Sequence, residues 1–306
     1  MAGLRGLAGR AAIVTGGGGG IGAATARRLS DEGARVVVVD VDEQRAREVA
    51  QSLPGPSAWV RADVSDEVDV GRYLEAAVSH FGRVDLHHLN AGIAGSLTGL
   101  PDLTAEEFDR VMAVNVRGVF LGVRAAFRQF ASQQPEPDGA AANPGAIVIT
   151  ASIGSLRGSA DLLPYQTSKH AVLGLLHGAA VYGGPLGIRV NAVAPGIVPT
   201  ELFAATPDAA GGKADMTRRA STTPLRRAGT ADDIAAVVAF LLSAEAAYLT
   251  GEVVSVDGGA SIVSSVRPSG GAGGWDTDAH DRALYGKRIR PPSTEPGRSL
   301  RGGSTR

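Results

Sequence analysis

The sequence predicts an α/β fold, a doubly wound parallel sheet of about seven strands with helices on both faces. Two observations carry this. Short β-branched runs alternate with longer helical patterns along most of the 306 residues, the signature of repeated strand–helix–strand units. Several of those runs, Val36-Val37-Val38-Val39 among them, are apolar on both faces, which suits central strands of a covered parallel sheet. Right-handed crossovers then bring the strand C-termini to one edge, where ligands bind.

The first strand, Ala11–Thr15, is a short apolar run that feeds a glycine-rich turn and a helix over 21–32. The second, Arg35–Asp40, is valine through its middle and leads to a helix over 43–52. Strands over Ser57–Arg61 and Asp85–Asn90 bracket a helix over 67–81. One long helical pattern over 105–131 precedes the fifth strand, Ala146–Ala151. Pro164 suits the first position of the next helix, 165–181, where its missing N–H costs nothing. The last two strands, Arg189–Ala194 and Glu252–Val256, flank a helix over 231–243. Two stretches break the alternation. Gln133–Pro144 reads as a surface insertion, and Pro199–Pro224, long for a loop at the ligand edge, reads as a lid.

Bulk composition excludes several functions. A formal net charge of −1 recruits neither nucleic acid nor an anionic membrane. The chain has no cysteine, which removes disulfides, thiolate metal sites and cysteine nucleophiles. No apolar stretch reaches the roughly 18 residues that span a bilayer, and Met1–Arg10 carries no signal-peptide core; a cytoplasmic protein is expected. Composition shifts at Ser264. Beyond it the chain is rich in Gly, Pro, Ser and Arg, with eight Lys/Arg against four acids, too little apolar surface to offset its ordering entropy. The expectation is one domain over 1–263 and a mostly disordered tail over 264–306.

The turn after the first strand reads Thr15-Gly16-Gly17-Gly18-Gly19-Gly20-Ile21-Gly22. Glycines there let backbone approach a pyrophosphate at the N-terminus of the following helix, where free N–H groups and the positive dipole end meet it. Asp40 ends the next strand about 20 residues on, the place of the acid that binds a ribose. The spacing needs Gly16, Gly20 and Gly22; Gly17, Gly18 and Gly19 read as permissive.

This turn resembles the cofactor motif of the short-chain dehydrogenase/reductase family, built on a Rossmann-type fold. Further motifs agree in order and spacing over residues 7–263: Asp63-Val64, Asn90-Ala91-Gly92, Asn115, Ser152, Tyr165-Gln166-Thr167-Ser168-Lys169, Pro195-Gly196, Thr200 and Asp257-Gly258-Gly259. The resemblance implies a dinucleotide held by Gly16, Gly19, Gly20, Ile21 and Gly22, with Asp63 and Val64 at the adenine. Asn90, Ala91 and Gly92 would pass beneath the cofactor. Pro195, Gly196, Val198 and Thr200 would lie toward the nicotinamide. Asp40, followed by Val41 rather than Arg, and glycine rather than a cation at position 19, favour NAD over NADP.

Oxidising an alcohol by hydride transfer needs a base for the hydroxyl proton. A free tyrosine, with pKa about 10, is protonated at neutrality. Lowering it by roughly three units takes about 4 kcal/mol. Lys169, four residues after Tyr165 on the same helix face, can supply much of this. The resemblance implies Tyr165 as general acid/base, Lys169 as its electrostatic partner and a ribose ligand, Ser152 on the substrate oxygen, and Asn115 anchoring a water-linked proton route.

Ser152, Ile153, Leu163, Tyr165 and Leu202 are the expected substrate contacts. With Ala94, Gly95, Gly154, Leu162, Ile197 and Phe203 they make a mostly apolar wall with Arg157 as the one nearby cation. A neutral secondary alcohol or ketone, cyclic or otherwise apolar, is expected. The long helices 105–131 and 165–181 resemble those that pack between subunits in the family, implying a homo-oligomer, dimer or tetramer. His87 and His88 point to opposite faces of a strand and are not expected to share a metal. No Gly-x-Ser-x-Gly elbow surrounds Ser152, so it is not expected to be a hydrolase nucleophile. The rival reading is a non-catalytic dinucleotide-binding regulator or scaffold on the same fold.

Overall fold

The structure, a computed structural model, describes residues 3–133, 145–158, 162–200 and 213–263, together with position 282. Seven parallel strands form one sheet: β1 Ala11–Thr15, β2 Arg35–Asp40, β3 Ser57–Arg61, β4 Leu86–Leu89, β5 Gly145–Thr150, β6 Ile188–Pro195 and β7 Val253–Val256. Their order is β3-β2-β1-β4-β5-β6-β7. The order reverses between β1 and β4, so the loops leaving their C-terminal ends diverge and open a crevice there.

The helices are α1 Gly20–Asp31, α2 Glu43–Ser52, α3 Glu67–Phe81, α4 Ala105–Met112, α5 Gly118–Ser132, α6 Leu163–Gly183, α7 Lys213–Ala220 and α8 Ala231–Leu242. The doubly apolar strands are explained by two separate cores. Val37 and Val39 join Ile13, Ile147 and Ile149 beneath α3, α5 and α6. Val36 and Val38 join Val14 and Val148 beneath α1, α2 and α8. Side chains alternate across a strand, so an unbroken valine run fills both layers. Side-chain caps fix several helix starts: Asp42 accepts from Arg45 N, Asp66 from Val68 N and Asp69 N, and Thr104 from Glu107 N.

Several elements differ from the sequence-based expectation. The single helix expected over 105–131 is α4 and α5, joined by a π-helical turn over Ala113–Arg117. Helix α6 begins two residues early, at Leu163, which makes Pro164 its second residue. Ser152 lies two residues beyond β5, as N-cap of a 3₁₀ turn over Ile153–Ser155. Inside the expected lid, helix α7 is folded; residues 201–212, Leu202 and Phe203 among them, lie outside the described residues, as does the expected tail apart from position 282.

At the far end of β6, buried Arg189 closes the C-terminus of α8. Its Nη1 donates to the carbonyls of Leu241 (2.7 Å) and Ala246 (3.0 Å), its Nη2 to those of Leu242 (3.3 Å) and Ser243 (3.0 Å). One planar fork thus satisfies helix-end carbonyls that the helix itself leaves without partners.

Candidate active site

The glycine turn leaves β1 at the crevice. Gly16 has φ +61° and Gly20 φ +49°, left-handed values that favour glycine. Gly16 also packs on β4's exit: a Cβ there would lie 2.8 Å from Ala91 Cα. A Cβ on Gly22 would strike the Gly16 carbonyl and come within 2.8 Å of Asn90 Nδ2. The turn is therefore a bare backbone cradle. Helix α1 starts at its far side with Gly19 as N-cap and no side-chain hydrogen bond on the cap. The first-turn N–H groups remain available to an anion.

The reading of Gly17 and Gly18 as permissive is corrected. A Cβ on Gly17 would meet Val38 Cγ1 at 2.7 Å, and one on Gly18 would meet Arg45 Cβ and Asp40 Oδ2 at 2.9 Å. Both contacts come from β2 and α2, so the need for glycine arises from tertiary packing. Asp40 is fixed by the same contact: its Oδ2 accepts from Gly18 N (2.9 Å) and its Oδ1 from Asp42 N (3.0 Å). Its carboxylate stands beside the turn at the end of β2.

Asn90 binds the turn to β4. Its Nδ2 donates to the carbonyls of Thr15 (3.1 Å) and Gly16 (3.2 Å), while Asn90 N and Ala91 N donate to Thr15 Oγ1 at 3.0 and 3.2 Å. Gly92 follows where a Cβ would lie 3.1 Å from Asn115 Oδ1 and 3.7 Å from Lys169 Nζ.

Helix α6 carries Tyr165 and Lys169 on one face, as their spacing requires. Lys169 Nζ lies 5.7 Å from the Tyr165 ring centre and donates to Thr150 O at 2.7 Å. Both side chains are buried, with 8% of Tyr165 and 4% of Lys169 exposed. Burial pushes the Tyr165 phenol up from its ordinary pKa, and its hydrogen bond with Ser152 works the other way. Burial lowers Lys169 to about 8. Ser152 is held in turn: its Oγ accepts from Gly154 N (3.0 Å), and its N donates to Ser155 Oγ (3.2 Å).

Asn115 sits in the π turn and is fully buried. Its Oδ1 accepts from Ile93 N (2.8 Å), and its Nδ2 donates to Ile93 O (2.9 Å) and Ser168 Oγ (2.9 Å). Ser168 Oγ then donates to Tyr165 O at 2.6 Å. Both amide hydrogens of Asn115 are spent on protein partners. Its side chain pins the loop after β4 and the first turn of α6 together.

Asp63 is exposed at the end of β3, with Oδ1 accepting from Ser65 N and Oγ. Val64 packs within reach of Gly118. Pro195 ends β6. Gly196 N donates to Val256 O at 3.0 Å, Val198 is buried, and Thr200 is half-buried. Ile153 is half-buried in the 3₁₀ turn, and Leu163 is exposed at the start of α6. His87 and His88 face opposite sides of β4: His87 packs edge-on to Tyr73, and His88 Nε2 meets Thr150 Oγ1. Sequence reasoning missed Thr150 and Ser168, which hold Lys169 and Tyr165. The place of Ser168 between them in the Tyr–Lys motif was the available signal.

Residues 16–261 match the family model described as Enoyl-(Acyl carrier protein) reductase. Levodione reductase of Leifsonia aquatica is 40% identical over 260 residues, covering 82% of this chain and 94% of that protein. Its crystal structure aligns with a TM-score of 0.77 at 37% identity, covering 84% and 99% of the two chains. Cis-4-hydroxycyclohexanecarboxylate dehydrogenase of Sinomonas cyclohexanicum is 39% identical over 257 residues, 83% of this chain and 97% of that protein. The crystal structure of 3-ketoacyl-(acyl-carrier-protein) reductase from Brucella melitensis complexed with NADH aligns with a TM-score of 0.74 at 35% identity, covering 83% and 99%. With this sheet order, the glycine cradle and the paired tyrosine and lysine, these matches establish that the chain belongs to the short-chain dehydrogenase/reductase family of oxidoreductases.

Proposed function

We propose that the protein transfers a hydride between NAD(H) and an apolar, ring-borne secondary alcohol or ketone, with Tyr165 exchanging the hydroxyl proton. The observation that carries this is the pairing of Tyr165 with Lys169 on one buried helix face, with Ser152 hydrogen-bonded to the phenol. The dinucleotide, when bound, supplies the hydride acceptor or donor and, in its oxidised form, a positive charge. Gly16, Gly19, Gly20, Ile21 and Gly22 hold its pyrophosphate. Asp40 takes the adenosine ribose hydroxyls, and Asp63 and Val64 flank the adenine. Asn90, Ala91 and Gly92 support it from β4, and Pro195, Gly196, Val198 and Thr200 receive its nicotinamide end. Support for a cradle of this kind comes from Gly16 and Gly22, where a side chain would collide with backbone.

The carboxylate of Asp40 supports NAD, because it accepts from ribose hydroxyls and repels a 2′-phosphate. Ser152 orients the substrate oxygen, and Lys169 stabilises the phenolate and binds the nicotinamide ribose. Asn115 acts by fixing the π turn, since both its amide hydrogens are spent on Ile93 O and Ser168 Oγ. A cyclic substrate is supported by a relative named for a hydroxyl on a cyclohexane ring, and by apolar Ile153 and Leu163 beside the site. A homo-oligomer belongs to the same reading, supported by exposed Phe120 on α5 and Val181 and Tyr182 on α6.

The test is NADH absorbance with a panel of cyclic secondary alcohols and their ketones, comparing the native chain with Tyr165→Phe. Turnover by the native chain, lost in the variant while NADH still binds, supports the reading. Equal turnover in the variant refutes the role of Tyr165. Tight NADH binding with no turnover of any alcohol or ketone favours a binding module instead.

A further inference from the structure

One buried histidine is linked through Thr150 to both the cofactor turn and the acceptor of Lys169 without entering the chemistry above. His88 is fully buried on β4, the strand beside β1 at the crevice. Its Nε2 lies 2.9 Å from Thr150 Oγ1. Thr150 Oγ1 lies 3.0 Å from Asn90 Oδ1, and Asn90 Nδ2 faces the carbonyls of Thr15 and Gly16. Carbonyl oxygens only accept, so the Asn90 amide must present its NH2 to the turn and its oxygen to Thr150. The Thr150 hydroxyl has one hydrogen and must give it to Asn90. It then accepts from His88, whose Nε2 must carry the ring hydrogen. Thr15 Oγ1 returns the chain to β4 by donating to His88 O at 3.3 Å. The Thr150 carbonyl is also the acceptor for Lys169 Nζ. His88 Nδ1 has no partner among the described residues, and burial holds the ring far below the ordinary imidazole pKa, at about 3.

We propose that His88 is a positioning residue for the cofactor-binding turn: its Nε2–H directs the Thr150 hydroxyl onto Asn90, and Asn90 then holds the Thr15 and Gly16 carbonyls. The inference rests on the proposed dinucleotide function for its cofactor readout, but its hydrogen-bond direction does not. The opposite tautomer would take the hydroxyl hydrogen from Asn90 and break the chain at its second link. Hydrogen bonds linked in series polarise one another, so the effect of His88 reaches beyond its immediate partner.

Two measurements on the full chain test this. Nitrogen NMR of the histidine rings, assigned by comparison with His88→Gln, reads the tautomer without any cofactor. The expected result is a ring hydrogen on Nε2 that persists across about pH 5 to 9; a hydrogen on Nδ1, or titration in that range, overturns the proposal. NADH affinity by fluorescence is then compared among native protein, His88→Leu, His88→Gln and His88→Asn. Leu is expected to weaken NADH binding by about tenfold. Gln, whose amide nitrogen reaches the Nε2 position, restores most of it, and Asn, which reaches only the Nδ1 position, does not. Thr150→Val weakens binding alone but adds little to His88→Leu. A Leu variant that binds NADH as the native chain does, or additive losses in the double variant, overturns the proposal. Failure of the native chain to bind NADH refutes the dinucleotide reading instead and leaves the NMR result to decide the tautomer.

Discussion

Lys169→Met removes an ammonium and keeps a long apolar side chain in the same buried slot. The Lys169 Nζ lies 5.7 Å from the Tyr165 ring centre. At an effective dielectric constant of about 20, a unit charge at that separation stabilises the phenolate by about 3 kcal/mol, or about 2 pKa units. Burial pushes the phenol the other way, and the hydrogen bond with Ser152, present in both proteins, does not replace the lost charge. Alcohol oxidation by Lys169→Met is expected to fall about 100-fold in kcat/KM near neutrality. Its rate should then climb about tenfold per pH unit over a range where the native profile is already flat. Lys169 is lowered to about 8; a lysine is charged below its pKa, so the native advantage is present below about pH 8 and declines above it. The assay is the pH profile of kcat/KM for oxidation, with NADH affinity measured separately to remove any effect on cofactor binding. A Met variant whose profile superimposes on the native one refutes the electrostatic role of Lys169.

Three further outcomes follow from the geometry. Gly22→Ala places a methyl against the Gly16 carbonyl; overpacking of about 1–3 kcal/mol should weaken NADH binding by about 10- to 100-fold while circular dichroism is unchanged, and normal affinity would contradict the cradle. Asp40→Ala should erase a preference for NAD over NADP of at least about tenfold, measured as the ratio of the two kcat/KM values; an NADP preference in the native chain would contradict the assignment of Asp40. Arg189→Leu strands the Leu241 and Leu242 carbonyls at the end of α8 and takes one of two donors from those of Ser243 and Ala246, so a loss of about 4 kcal/mol and a fall in Tm of about 8–16 °C are expected. A Tm within about 2 °C of native would contradict that role.

The strands and the crevice were legible because burial on both faces writes itself into the chain as unbroken runs like Val36–Val39. The pairing of Tyr165 with Lys169 was legible because helical geometry fixes which residues share a face. The π turn was not. Residues 105–131 keep an uninterrupted helical pattern, and the turn accompanies hydrogen bonds between Asn115 and both Ile93 and Ser168, partners 22 and 53 residues away. Gly17 and Gly18 looked dispensable for the same reason: the atoms that exclude a side chain come from Val38, Asp40 and Arg45. The exit to Ser152 is not legible either: Ala146–Ala151 is uniformly β-forming, whereas β5 stops at Thr150 and a 3₁₀ turn caps itself with Ser152 and Ser155. His88 is buried in the core, and its link to Thr150 depends on strand register that the sequence does not display.

Hydride transfer as proposed needs one of the five tyrosines to ionise near neutrality once oxidised cofactor is bound. Titrating tyrosinate absorbance in the NAD-saturated protein, with Tyr165→Phe as the difference reference, measures this directly. One phenol is expected to lose its proton at about pH 7, a transition missing from the variant. A Tyr165 that stays protonated to about pH 10 or beyond with cofactor bound would contradict it.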